Sequence, residues 1–284
     1  MTISENLRVN SIVWIHSLNE NEMGPTRRII EDLGILQVDG GFPIREQPVK
    51  NREEFSEIMH ELHQEARNGF RPILHIDMHG TKTEGLYFAP SNEVMTWEEV
   101  LAAIRPLNVA TENNLICIFA LCYGLTFYKH INLKDSVPAY YFCAPRDEVT
   151  VGPLQREALA FYQSLAKDPN VTSAFNKTLG KLMVSFHCQG VFFQVLRRYI
   201  SDHCRGREYK ERKERMLSEL LEKNGIATPS SDQLRVARQQ IKSFLQPGQQ
   251  LIDNYAPKFL VGRPAAFSYE DLDRAMQSGA STKN

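Results

Sequence analysis

The chain carries two apolar runs, Ile73-Leu-His-Ile-Asp-Met-His79-Gly80 and Leu115-Ile-Cys-Ile-Phe-Ala-Leu-Cys122-Tyr-Gly124, and each ends in a reactive side chain followed closely by glycine. One amphipathic segment with helical spacing lies between them. A strand, a crossover helix and a parallel strand bring both strand ends to the same edge of one sheet. Ligands of open α/β sheets bind at that carboxyl edge. The two runs therefore predict that His79 and Cys122 are neighbours, and a thiol beside an imidazole is the minimum set for a cysteine nucleophile.

Composition limits the kind of protein that this chain forms. With 284 residues, of which 42% are apolar, it is long enough for one large core or two smaller ones. Its 33 basic and 34 acidic residues balance, so no overall field attracts nucleic acid or an anionic membrane. The first residues lack the basic head and apolar stretch of a signal peptide, and no apolar run approaches the ~20 residues of a membrane span.

Cysteine usage indicates the compartment. The five cysteines are an odd number without a CxxC pair, which indicates reduced thiols in a cytoplasmic protein. We therefore expect neither a membrane nor a nucleic acid among the partners.

Strand-like and helix-like segments alternate from residue 11 to about residue 165. This alternation is typical of an α/β domain with a mostly parallel sheet flanked by helices. Asn51 and Thr96, each followed three positions later by glutamate, predict two helix starts. Gly34 and Pro106 are predicted to end helices, because glycine and proline commonly terminate them.

After residue 190 the pattern changes to amphipathic helices alone. We therefore predict one α/β domain over residues 1–190 and a helical C-terminal extension over residues 191–284. Segment 205–215 is rich in basic residues, but its interleaved glutamates favour a solvated helix face over a nucleic-acid surface.

The setting of Cys122 separates it from Cys117 and Cys143. Cysteines are often buried and inert, and this interpretation fits the two that lie inside apolar strands. Cys122 instead stands at a strand end, where Gly124 permits a tight turn and backbone N–H groups can hold an oxyanion. Exposure of this kind favours a reactive thiol.

His75, Asp77 and His79 alternate along the first run, so their side chains share one face of the predicted strand. One interpretation is a hydrogen-bonded structural histidine. Another is a zinc site, since two histidines and a carboxylate are acceptable zinc ligands, although the sequence shows no matched distant ligand. His187 beside Cys188 forms a second and weaker Cys/His pair.

Taken together, these features resemble the caspase-like cysteine peptidases, the superfamily that includes caspases, metacaspases, separase and bacterial CHAT-domain proteins. The order is the same, with a strand ending in His79-Gly80 ahead of a strand ending in Cys122. The next stretch, Ala144-Pro-Arg-Asp147-Glu-Val-Thr, and a helix bearing Phe161-Tyr162 are similar to the CHAT and separase pattern. The resemblance covers roughly residues 11–166 and implies a caspase-like fold with endopeptidase activity.

The resemblance also implies roles for single residues. Cys122 would be the nucleophile, and His79 would be the general acid and base. The backbone N–H groups of Gly80 and Cys122 would form the oxyanion hole. Asp147, with Glu148 as the second candidate, would receive a basic side chain of the substrate, whereas the alternative for Asp147 is a cap on the following helix. No cofactor and no metal are implied.

Partners follow from the same resemblance. It implies a protein or peptide substrate. Bacterial relatives often act as regulated effectors, including in antiviral defence. Activation by a protein partner, by self-cleavage or by formation of a homo-oligomer fits that setting.

Three alternatives stay open. The turn at Cys122 is also similar to the nucleophile turn of class I glutamine amidotransferases, but these need His-x-Glu after the cysteine, and His187 is followed by Cys188-Gln189. A zinc-dependent amidohydrolase would use the histidines and aspartate of the first run. An inactive caspase-like scaffold that binds a partner is the third. Specificity is also open, because the aspartate that metacaspases place two before the cysteine is Ala120 here.

Overall fold

The structure is a computed structural model that describes residues 8–38, 40–204, 206–226 and 228–280. The expectation on a signal peptide concerns the first residues of the sequence, of which residues 1–7 lie outside these ranges. The described chain forms an α/β fold with a mostly parallel sheet flanked by helices, followed by a helical C-terminal part. The predicted fold class is confirmed.

Eight strands make up the sheet of the described chain. They are β1 Ser11–Ser17, β2 Ile44–Pro48, β3 Pro72–Gly80, β4 Gly85–Phe88, β5 Glu93–Thr96, β6 Ile116–Ala120, β7 Tyr141–Ala144 and β8 Val184–His187. Their order is β2-β1-β3-β6-β7-β8, and the hairpin β4-β5 pairs with the end of β3. Along this order, each neighbouring pair of strands from β2 to β7 is parallel, whereas β8 is antiparallel to β7.

The helices cover both faces of the sheet. They are α1 Met23–Val38, α2 Arg52–Arg67, α3 Trp97–Ala110, α4 Val151–Lys167, α5 Val171–Lys177, α6 Cys188–His203, α7 Gly206–Lys223, α8 Ser231–Leu245, α9 Gln249–Phe259 and α10 Tyr269–Ala280. In the sheet, β2 lies on one side of β1, whereas β3 and β6 lie on its other side. Right-handed connections therefore place α1 on one face of the sheet and α2 and α3 on the opposite face. α4 packs on α1, and α2 packs on α3. None of the helices in the described ranges has both the length and the apolar composition of a membrane span.

Local sequence signals begin two helices where they were predicted. The Asn51 side chain accepts a hydrogen bond from the Glu54 N–H at 2.9 Å at the start of α2. Thr96 and Glu99 form a reciprocal capping box at the start of α3. These bonds satisfy backbone N–H groups that have no acceptor inside their own helix.

Two predicted helix ends are wrong. α1 continues for another turn beyond Gly34, because a helical glycine costs only about 1 kcal/mol and Leu36, in that turn, packs against the main core. α3 continues beyond Pro106 because Leu107 and Asn108 are fully buried. The Asn108 amide also donates to the Val137 carbonyl at 2.8 Å, which holds the last turn in place.

The helical C-terminal part divides into two packing groups. α6, α9 and α10 bury their apolar side chains in the same core as the sheet, among them Val191, Phe192, Ile252, Phe259 and Leu272. α7 and α8 pair around a separate small cluster formed by Leu217, Ala237, Ile241 and Leu245. The main core therefore continues across the predicted boundary between residues 190 and 191.

Candidate active site

The ends of β3 and β6 bring His79 and Cys122 together. The parallel ladder between β3 and β6 ends where Asp77 pairs with Ala120, two residues before His79 and Cys122, so both residues follow the ladder at the same edge of the sheet. A Cβ built on Gly80 would lie 2.2 Å from the carbonyl oxygen of Cys122, which shows how closely the two backbones approach. Both reactive side chains line one pocket.

A sharp turn presents Cys122 at the edge of the sheet. β6 ends at Ala120, and Tyr123 adopts the left-handed conformation, with φ at 56°, before a 3-10 helix begins at Gly124. A positive φ is uncommon outside glycine. Gly124 serves packing instead, because a Cβ there would lie 3.1 Å from the Cβ of Ala144 on β7. The predicted turn is present, but Tyr123 makes it.

The loop after β7 holds the turn in place. The Tyr123 N–H donates to the Asp147 carbonyl at 3.2 Å, and the Leu125 N–H donates to the Pro145 carbonyl at 3.0 Å. The Tyr123 hydroxyl donates to Glu148 Oε1 at 2.8 Å. Backbone and side-chain hydrogen bonds thus connect the turn at residues 122–124 to the loop after β7.

Cys122 has the exposure that a nucleophile needs. It is partly exposed, whereas Cys117, Cys143 and Cys188 are buried, and burial raises the pKa of each of these three thiols. The Cys122 Sγ lies 4.0 Å from the Val149 carbonyl oxygen. Its backbone N–H donates to no acceptor among the described residues. A free N–H beside an accessible thiol is a donor that a substrate oxygen can use.

Glu22 contacts the imidazole of His79. The Nε2 atom lies 2.9 Å from Glu22 Oε1. Glu22 belongs to a short 3-10 helix directly after β1, and its carboxylate also accepts from the Asn19 N–H at 2.9 Å. The Asn19 bond and then the His79 contact hold the pKa of Glu22 below its usual value, although partial burial opposes them. A carboxylate on Nε2 fixes the tautomer and leaves Nδ1 as the free ring nitrogen.

A pocket of about 290 Å³ opens beside the two side chains, between the sheet and the helices α1 and α4. Its volume lies at the low end of the ~300–1,000 Å³ common for ligand pockets, so it suits one substrate side chain. The walls are mostly apolar and include Trp14, Leu121, Val149, Leu154 and Ala158.

His75 and Asp77 line the same pocket more deeply than His79. The His75 ring stacks on Trp14 with the ring centroids 3.5 Å apart, and its Nδ1 lies 2.9 Å from the Tyr162 hydroxyl. Thr26 and Trp14 donate to Asp77 Oδ2 at 2.7 and 3.3 Å. Burial lowers the pKa of His75 to about 3, so its ring is neutral. Burial raises the pKa of Asp77, although the two hydrogen bonds oppose this effect.

This arrangement gives the zinc alternative little support. The predicted common face is present, because His75, Asp77 and His79 all line the pocket. However, His75 and Asp77 are engaged with indole and hydroxyl groups rather than with each other. Across the described ranges, no group of three or more His, Cys, Asp or Glu side chains is placed to hold a metal ion.

Asp147 and Glu148 lie next to the nucleophile turn but outside the lining of the pocket. Both side chains are exposed. The N-cap of α4 is Thr150, so Asp147 is not its capping residue. A role for either acid in binding the substrate stays a prediction.

The second Cys/His pair serves the helical part of the fold. His187 ends β8 and caps α6, and its Nδ1 accepts from the Gln189 N–H at 3.2 Å. Cys188 is fully buried, and neither residue lines the pocket beside Cys122. The pair therefore lies apart from the candidate nucleophile.

Sequence analysis missed three residues of the site, Glu22, Thr26 and Gln155. The signal for Glu22 lies in the strand pairing and not in the local sequence pattern. Because β1 pairs with β3 in parallel and Ser17 aligns with Met78, the polar loop after β1 must reach the same edge as His79.

No protein-family model matches this sequence, and a search of the curated proteins finds no significant match. Site geometry is therefore the basis for assigning a function.

Proposed function

We propose that this chain is a caspase-like cysteine endopeptidase in which Cys122 attacks a peptide carbonyl and His79 transfers the protons. The observation that carries the proposal is that β3 and β6 pair in parallel up to Asp77 and Ala120, and that His79 and Cys122, two residues further on each strand, line one pocket at the carboxyl edge of the sheet. A partly exposed thiol and a pocket for one side chain at the same edge support it.

The chemistry uses two steps. In the first, the Cys122 sulfur forms a bond to the carbonyl carbon while the C–N bond breaks, and protonated His79 gives its proton to the leaving amine. In the second, His79 removes a proton from water, the hydroxide oxygen bonds to the thioester carbon, and the thiolate leaves. A free carboxylic acid and the original dyad result. Glu22 on Nε2 orients the ring and leaves Nδ1 for these proton transfers.

The negative charge that develops on the carbonyl oxygen of the substrate has to be stabilised by hydrogen-bond donors. The Cys122 N–H, which donates to no acceptor among the described residues, supports its proposed place in the oxyanion hole. Gly80 would provide the second N–H. The close approach of the Gly80 backbone to the backbone of Cys122 supports this pairing of donors.

The setting proposed for this activity is the cytoplasm, with a protein or peptide as substrate. The five free cysteines are consistent with a reducing compartment. A regulated effector switched on by a partner or by formation of a homo-oligomer is the biological role that the resemblance favours.

The decisive experiment compares labelling with hydrolysis. A small electrophile such as iodoacetamide should alkylate Cys122 faster than Cys204, the other partly exposed cysteine. Cys122→Ala should abolish hydrolysis of an activated peptide substrate, and His79→Ala should slow it by roughly 100-fold or more, the usual contribution of a general acid–base group. Cys204→Ala is the matched control and should keep wild-type rates.

Three outcomes would contradict the proposal. Hydrolysis that survives Cys122→Ala but stops with a chelator would favour the zinc alternative. Equal alkylation of Cys122 and Cys204, with no hydrolysis of any peptide, would favour the inactive scaffold. Release of ammonia from glutamine would favour the amidotransferase.

A further inference from the structure

The pocket beside the dyad is lined by two carboxyl groups and two histidine rings. Asp77 and Glu22 line it, and none of the described residues in its lining is lysine or arginine. The deepest ionisable ring, His75, is neutral because burial lowers its pKa to about 3. A carboxylate between apolar walls attracts a cation strongly, because little water is present to screen it.

The depth of Asp77 selects a long side chain. It lies two residues before His79 on the same face of β3, which is about 7 Å deeper at ~3.3 Å per residue. Both of its hydrogen bonds end on Oδ2, and Oδ1 accepts none from the described residues. A substrate side chain that enters beside the dyad must therefore be extended to reach this oxygen.

We propose that Asp77 determines the specificity of this pocket and receives the guanidinium or ammonium group of an arginine or lysine that precedes the cleaved bond. This inference rests on the proposed peptidase function. It gives to Asp77 the role that the resemblance implies for Asp147, because the Asp147 side chain is exposed and outside the lining.

Gln155 supplies a second polar group in the same pocket. It lies on α4 in the pocket wall, and its buried Nε2 has no hydrogen-bond partner among the described residues. An amide whose nitrogen is unpaired is free to turn its carbonyl oxygen inward. Asp77 and Gln155 would then offer two acceptors to a guanidinium, which carries five donors.

A pair of substrates that differ only in charge tests the proposal. Peptides with arginine or its uncharged isostere citrulline before the cleaved bond would be compared by kcat/KM. We expect wild type to favour arginine by roughly 100-fold or more, because a site built for a polar group rejects an analogue that leaves it unpaired. Asp77→Asn should reduce this ratio to below about 5, whereas Asp147→Asn should leave it near the wild-type value.

Two results would overturn the proposal. One is a wild-type ratio near unity. The other is a ratio that collapses in Asp147→Asn and persists in Asp77→Asn, which would return the role to Asp147.

A measurement on the wild-type protein covers the case in which Asp77→Asn fails to fold. Benzamidine should slow the alkylation of Cys122 by iodoacetamide at least several-fold, and benzamide, its uncharged counterpart, should not. Equal effects of the two compounds would overturn the cation site.

The same measurement separates the two proposals. If Cys122 is alkylated but no peptide is cleaved, the peptidase function fails, and the protection by benzamidine still shows whether the pocket binds a cation.

Discussion

The imidazole of His79 has one hydrogen-bond partner among the described side chains, the Glu22 carboxylate at 2.9 Å. This contact is informative because it involves Nε2 and so leaves Nδ1 for the proton transfer that we propose. His79 is exposed, and its ring otherwise lies near Tyr87, with the ring centroids 6.1 Å apart. The orientation of the His79 ring therefore depends mainly on one carboxylate that comes from a distant part of the chain.

Glu22→Gln tests this dependence. The amide can still accept a hydrogen bond, but it cannot stabilise a protonated ring, so we expect kcat/KM to fall by about 10–100-fold, the usual effect of losing a supporting partner. The pKa of Glu22 is lowered, so its charge is present above that pKa and is lost as the pH falls through it. The acid side of the rate profile for Cys122 alkylation should therefore change in Glu22→Gln.

Glu20→Gln provides the matched control. Glu20 lies in the same 3-10 helix, but it pairs with the exposed Arg27 at 2.6 Å and does not line the pocket. Its substitution should leave both the rate and the pH profile unchanged. A Glu22→Gln protein with a wild-type pH profile would show that the contact is structural only.

Among the elements, the closest contact at the site is between the end of β3 and the turn after β6. Gly80 has no room for a Cβ, which would lie 2.2 Å from the Cys122 carbonyl oxygen and 2.4 Å from Leu121 Cδ1. The backbone carbonyl of Cys122 cannot move aside as the end of a flexible side chain can. The glycine therefore sets the spacing between the strand that carries the imidazole and the turn that carries the thiol.

Gly80→Ala should separate these two elements. We expect a loss of about 1–3 kcal/mol in the free energy of unfolding, as for other substitutions that overfill a packed site. We also expect peptide hydrolysis to be lost, because the dyad and the oxyanion hole move apart. Denaturant titration and the rate of peptide hydrolysis would measure the two effects.

Gly152→Ala is the control for an added methyl group. A Cβ at Gly152, in the first turn of α4, would meet nothing within 4 Å, so stability and hydrolysis should stay close to wild type. Equal behaviour of the Gly80 and Gly152 variants would disprove the tight contact between β3 and the nucleophile turn.

Strand and helix order could be predicted because apolar periodicity and capping residues are local signals. The neighbourhood of His79 and Cys122 could also be predicted, since parallel strands place their ends at one edge. The contribution of Glu22 could not be read from local pattern, because its loop is polar and its position follows from the pairing of β1 with β3. The predicted helix ends at Gly34 and Pro106 were wrong, because tertiary burial outweighs the low helix propensity of glycine and proline there.

For the whole molecule, the helical C-terminal part is connected to the α/β domain by packing and by hydrogen bonds. Phe192 and Phe259 stack with their ring centroids 5.0 Å apart inside the main core. The Val137 N–H donates to the Phe259 carbonyl at 2.9 Å, and the Asn113 amide donates to the Leu260 carbonyl at 3.0 Å. The predicted boundary at residue 190 stays a prediction, but these contacts cross it and should couple α9 to the sheet.

Phe259→Ala and Ile241→Ala distinguish coupled from independent packing. Phe259 is fully buried in the main core, so its truncation should cost about 3–5 kcal/mol and lower the midpoint of the whole unfolding transition, including the loss of protection of the buried Cys143 from alkylation. Ile241 belongs to the small cluster between α7 and α8, so its truncation should speed amide exchange in those two helices and leave hydrolysis unchanged. If Phe259→Ala instead affects only the C-terminal helices, while the sheet keeps its wild-type exchange rates, the extension is an independent unit. The continuous core then does not reflect cooperative folding.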